Sequence, residues 1–146
     1  MAGYSILKQL REVIHMEYSK DEIRDILVDT LGNEQYAQTI LEVNAGNAAF
    51  LDIVLELIKE DYSNDARMGG AYWLPSVDPA LLKAREALLL ELATDELDAV
   101  SCFVFIALAK IHSEKGIELL IRSKIEPDLY WAAQALKEYL HIPCTE

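Results

Sequence analysis

Apolar residues recur at three- and four-residue intervals along almost the whole chain, the spacing of one helix face, and strand-like alternation is scarce. Ile6, Leu7, Leu10, Val13 and Ile14, with Lys8, Arg11 and Glu12 between them, predict a leading helix over 4–17. Ser19 followed by Glu22 reads as a capping box, so a second helix starts there, with Ile23, Ile26 and Leu27 as its stripe. Leu31, Gly32 and Asn33 end it. Gly32 is the expected left-handed residue, and Asn33 the expected cap of a short third helix bearing Tyr36, Ile40, Leu41 and Val43. After a break over 44–47, residues 48–60 read as a helix, 61–64 as its turn, and Asp65 as the opening of the next helix. Gly69 and Gly70 inside that helix cost about 1 kcal/mol each relative to alanine, which predicts a close helix approach or a bend.

Pro75 to Pro79 is a boundary, with Asp78 as cap and Pro79 at the first helical position. One helix over 80–93, an acidic turn at Thr94, Asp95 and Glu96, and a strongly apolar helix over 99–111 follow. His112 and Ser113 separate a helix over 114–124, and Glu126-Pro127 starts the last, which runs to about Leu140 before a tail of 141–146. About nine helices joined by short turns predict an all-α protein of antiparallel hairpins.

The helices repeat. Asp65, Asp98 and Asp128 stand 33 and 30 residues apart. Eight residues before each lie Leu57, Leu90 and Leu120, and eight after lie Trp73, Ile106 and Leu136. Stepping back from Asp65 reaches Glu34, with Ile26 and Ile23 at the matching upstream offsets. Four two-helix units preceded by one extra helix are expected, because a lone hairpin cannot bury its apolar face and a stack can. An apolar helix, a turn, an Asp, then a helix with small residues in its middle and a large apolar residue at its end resembles a HEAT-type repeat. The best copies are 50–74 and 117–139. The Arg that often follows the turn Asp in such repeats is matched by Arg67, while Val100 and Tyr130 stand there in the other two copies. The resemblance spans about 19–140 and implies a right-handed α-solenoid, usually a protein-binding scaffold without catalysis.

Composition agrees with one domain over 1–146. Half the residues are hydrophobic (52%) and a quarter charged (26%), and a chain this long buries enough surface to fold without disulfides or metal. The two cysteines, Cys102 and Cys144, follow no spacing motif and read as reduced thiols, Cys102 as a small core residue. The start breaks into charges too early for a signal peptide, and the apolar run over 99–110 is about half a bilayer span, so a cytoplasmic protein is expected.

Charge adds a partner class. The net charge is −12, from 25 acids and 13 bases. Such a surface repels phosphate backbones and anionic membranes, which speaks against nucleic acid and lipid partners, and attracts basic proteins. The acids gather at the turns: Glu60, Asp61 and Asp65 in one, Asp95, Glu96 and Asp98 in the next, Glu126 and Asp128 in the last. Stacked repeats would align them as a ridge, although helix starts favour acids in any case. Tyr130 and Trp131 beside Asp128 are suited to a basic partner's hot spot, whereas Trp73, Phe103 and Phe105 read as core.

Catalytic patterns are missing. There is no nucleotide-binding glycine loop, no GxSxG and no HExxH. His15, His112 and His141 lie far apart, each near a helix end, where a positive imidazole is favourable. Cys102 and His112 on one helix would be about 15 Å apart, too far for a nucleophile and its base. No catalytic residue, cofactor or metal ligand is therefore expected. The reading is a protein-binding module, most concretely an immunity protein that neutralises a basic nuclease-type toxin by filling its cleft. Some bacterial toxin-immunity families are similar in being built of helical repeats. The alternatives are an adaptor subunit of a larger complex, or an enzyme accessory of the kind that HEAT-like chromophore lyases resemble.

Overall fold

Ser19 starts the first described helix as its sequence predicts: its Oγ accepts from the Glu22 N–H at 3.1 Å, and Glu22 Oε1 accepts from the Ser19 N–H at 2.9 Å. The computed structural model describes residues 17–123 of the 146, so the helices expected over 4–17 and 126–140 lie outside the described residues. The described residues are all-α, with eight helices, one 3-10 turn and no strand. They belong to two compact units, Met1–Gly70 and Ala71–Glu146.

In the first unit, α1 (Lys20–Leu31), α2 (Gln35–Val43) and α3 (Ala48–Glu60) are followed by α4 (Asn64–Trp73), which runs across the unit boundary. α1 packs on both α2 and α3. It buries Ile23, Ile26 and Leu27, the stripe its spacing predicts, together with Thr30. The end of α1 departs from expectation. Gly32 is right-handed (φ −82°), and Asn33 takes the left-handed position at φ 62°. Asn33 donates to the Thr30 carbonyl and Glu34 to the Asp29 carbonyl, the paired bonds of a Schellman closure. Asn tolerates that conformation because its short polar side chain bonds locally. Asn33 is therefore not the cap of α2; Glu34 holds that position without a side-chain cap bond.

The break between α2 and α3 is a chain of amides. Asn44, 1% exposed, donates to the Ile40 carbonyl at 2.8 Å and accepts from Asn47, whose own oxygen caps α3 at the Phe50 N–H. At the other end of α3, Ser63 Oγ accepts from the Ala66 N–H, so Ser63 caps α4 and the helix opens at Asn64. Arg67 is buried and reaches back to the Ile58 carbonyl at 2.7 Å, satisfying one of the orphan carbonyls that end α3. The glycine pair of α4 is a close approach, one of the two expected outcomes. A Cβ at Gly69 would lie 2.2 Å from the Leu27 carbonyl oxygen, and one at Gly70 would lie 2.7 Å from Ile58 Cγ1.

In the second unit, the 3-10 turn Leu74–Ser76 leads to α5 (Pro79–Ala84), α6 (Glu86–Leu92), α7 (Asp98–Lys110) and α8 (Glu114–Ser123). Asp78 caps α5 through the Ala80 N–H, with Pro79 first in the helix, as predicted. The single helix expected over 80–93 is instead two, interrupted at Arg85 (φ −116°, ψ 22°). Its N–H bonds the Leu82 carbonyl and its Nη1 takes the Leu81 carbonyl at 3.0 Å. A side chain inserted into the helical ladder is an established cause of such breaks, and spacing does not reveal it.

α7 is the centre of this unit and packs against α5, α6, α8 and the 3-10 turn. Val100, Cys102, Val104, Phe105, Ala107 and Leu108 are all buried, the burial round most of the helix that its apolar sequence demands. The Cys102 side chain is buried inside this core and forms no disulfide among the described residues. Ser101 is buried as well and donates to the Ala93 carbonyl at 2.7 Å, tying α7 to the end of α6. α7 closes as α1 does: His112 sits at φ 55°, donating to the Ala109 carbonyl, while Ser113 donates to the Leu108 carbonyl. Ser113 Oγ then caps α8 at the Gly116 N–H.

Candidate functional site

The turn between α3 and α4 is the most elaborated of the acidic turns among the described residues. Arg24 of α1 reaches it from 37 residues away: Nε donates to Asp61 Oδ1 at 2.8 Å, and Nη1 to Asp21 Oδ1 at 2.5 Å. Asp61 Oδ2 accepts from the Ser63 N–H at 3.0 Å, which shapes the turn. The Tyr62 ring lies over the guanidinium, 4.8 Å from its carbon to the ring centroid, a cation–π contact. Hydrogen bonds to Asp21 and then Asp61 push the Arg24 guanidinium above its ordinary range, so it stays charged throughout.

This arrangement separates the three acids expected there. Glu60 and Asp65 are exposed. Asp61 is turned inward, its side chain 3% exposed, and spends its carboxylate on Arg24 and the turn backbone. The residue that reaches outward is Tyr62, 83% exposed, which the sequence does not single out. Its signal was a tyrosine beside two acids in a predicted turn; what fixes its ring is Arg24, which no local pattern pairs with it.

The second acidic turn is simpler. Asp95 is half-buried and its Oδ1 accepts from the Leu97 N–H at 2.8 Å, an Asx turn that leads into α7. Asp98 is the first residue of α7 and is exposed, as is Glu96. Leu97 holds the cap position without a side-chain bond, so Asp98 acts there through charge at the helix start. Glu126, Asp128, Tyr130 and Trp131 lie outside the described residues. Trp73 and Phe105 are buried, as expected of core aromatics; Phe103 is half-buried, with Tyr72 edge-on to it at 5.3 Å between ring centroids.

The two units differ in charge. Residues 17–70 carry twelve acids and four bases, and 71–123 carry eight acids and five bases. In the first unit, two of the four bases are withdrawn into structure, Arg24 into its ion pairs and Arg67 into the interior, leaving Lys20 and Lys59 as the exposed bases among its described residues. Solvent around α1, α3 and the start of α4 therefore faces a negative potential with an aromatic ring projecting into it.

Among the described residues no group of three His, Cys, Asp or Glu could hold a metal ion, and no helix is long and apolar enough to cross a membrane. The acidic turn around Tyr62 is the candidate site. No family model, curated protein or solved structure matches the chain.

Proposed function

We propose that the chain is a protein-binding module for a basic partner, and that the partner docks first on the turn between α3 and α4. The observation that carries the reading is Tyr62, held over Arg24 and projecting between exposed Glu60 and Asp65. Tyrosine supplies apolar area and a hydroxyl at low entropic cost, which is why it recurs among hot spots. A ring already braced by Arg24 loses little further freedom on binding. The acids around it attract cations from a distance and speed encounter.

The most concrete form of this proposal is an immunity protein that occupies the cleft of a basic nuclease-type toxin, its carboxylates standing where phosphates would bind. The finer architecture that goes with it is a right-handed HEAT-like solenoid acting in the cytoplasm. The acidic ridge that goes with such a stack is an expectation of the repeat resemblance, in which equivalent turns fall along one edge. The reading rests on charge, on the resemblance of the repeats and on the geometry at Tyr62. It assigns no catalysis to the chain.

Capture from a lysate of the native host tests it. The immobilised chain should retain a basic protein whose binding weakens steeply as NaCl rises from about 0.05 to 0.5 M. Tyr62→Ala should weaken capture by tenfold or more, on the order of a hot-spot loss. Glu60→Lys with Asp65→Lys should abolish it with helicity unchanged, and the captured protein's nuclease activity should be blocked by the unmodified chain. Salt-insensitive capture that survives both changes would favour the adaptor reading instead.

A further inference from the structure

Tyr62 presents a ring with two unlike faces. Arg24 lies over one, its guanidinium carbon 4.8 Å from the ring centroid. The residue is 83% exposed, so the opposite face meets solvent. The face of an aromatic ring is its negative pole and attracts cations. The charge of Arg24 on the far side is more than compensated, because it is paired with two carboxylates, Asp21 and Asp61. A second cation therefore meets a ring backed by a net negative trio.

The turn that carries the ring is pinned. Asp61, directly before Tyr62, accepts from Arg24 Nε at 2.8 Å and from the N–H of Ser63, directly after it, at 3.0 Å. Exposed carboxylates flank the ring in sequence, Glu60 two residues before and Asp65 three after.

Lysine and arginine would meet this ring differently. An ammonium is compact and strongly hydrated, and must shed water to reach the ring. A guanidinium is planar and weakly hydrated. It lies flat on the ring and keeps its in-plane N–H groups available to carboxylates.

We propose that the open face of Tyr62 binds an arginine of the basic partner, with its guanidinium stacked on the ring opposite Arg24 and its N–H groups donating to the Glu60 and Asp65 carboxylates. The inference rests on the docking reading at this turn and narrows the partner from basic to arginine-bearing.

Hexa-arginine and hexalysine peptides, equal in charge, are the probes, titrated against the full chain with carbon-13-labelled tyrosine rings. Hexa-arginine should shift the Tyr62 ring resonances saturably. Tyr62→Leu should weaken hexa-arginine by about two- to fivefold, the range for one cation–π contact at an exposed site, and leave hexalysine unchanged. Tyr62→Phe should bind both peptides as the unmodified chain does, because the ring face and not the hydroxyl makes the contact. Tyr62 is exposed, so neither substitution threatens the core. A loss in Tyr62→Leu shared equally by the two peptides, or no loss at all, would overturn the arginine assignment and leave a basic partner standing. Binding of neither peptide would overturn both.

Discussion

Gly69 faces the backbone carbonyl of Leu27 across the contact of α4 with α1: any side chain at 69 would drive a Cβ to 2.2 Å from that oxygen. The obstacle is backbone, which cannot rotate aside. Gly69→Ala should therefore destabilise the chain by about 3 kcal/mol or more, the upper range for overpacking. Gly46 is the matched control, because nothing among the described residues lies within 4 Å of a Cβ there. Gly46→Ala should be neutral, or stabilising by about 0.5 kcal/mol through the unfolded chain. Urea unfolding midpoints of the two variants check the contrast.

Thr30 is buried in α1, and its Oγ1 has no hydrogen-bond partner among the described residues. Water solvates that hydroxyl in the unfolded chain, so folding carries its desolvation penalty uncompensated. Thr30→Val removes the hydroxyl at nearly constant volume and should stabilise by about 1 kcal/mol. A rise in thermal midpoint tests this; a fall would mean that the hydroxyl is satisfied in solution.

His112 and Asn33 close their helices in the conformation that glycine adopts at least cost. His112→Gly should be stabilising by up to about 1 kcal/mol, relief of the left-handed cost being partly offset by the flexibility of glycine in the unfolded chain. His112→Val should lose about 1–2 kcal/mol, since a branched Cβ fits that conformation worst. Differential scanning calorimetry of the three proteins should rank them Gly, His, Val.

Tyr18 packs edge-on against Phe50, ring centroids 6.0 Å apart. Burial, and secondarily the charge of Glu22, raises its phenol above the ordinary value near 10. A raised pKa means that the folded state favours the neutral phenol. The associated stability is complete below about pH 10 and is lost as pH climbs through the raised value. Tyr18→Phe should lose less stability than the unmodified chain between about pH 9.5 and 11.5. The late-ionising component of the absorbance titration at about 295 nm should vanish with it, seven tyrosines becoming six.

Much of the helical framework is legible in the sequence because its signals are local. The capping box at Ser19, the cap at Asp78, and the stripe of Ile23, Ile26 and Leu27 all depend on residues within a turn or two of each other. Burial of α7 follows as directly, since a helix apolar nearly all round has only an interior to occupy. The exchange of roles at Gly32 and Asn33 shows where local reading fails. Both residues suit a helix end, and the one that becomes left-handed is decided by where the paired Schellman bonds fall. Arg85 failed for another reason: the propensity of 80–93 is helical, and a guanidinium bonding the Leu81 carbonyl overrides it.

For the candidate site, the sequence by itself determined the acidity, the helices that carry it and the turns where acids gather, because charge and capping are properties of short stretches. Only the tertiary structure decided what each side chain does there. It set Arg24 against Asp61, and so withdrew one acid from the surface and raised Tyr62 as the projecting group. It brought Lys110 of α7 to the Pro75 carbonyl, 35 residues away in sequence. Residues so far apart become neighbours through helix packing, and packing depends on the whole set of buried faces at once.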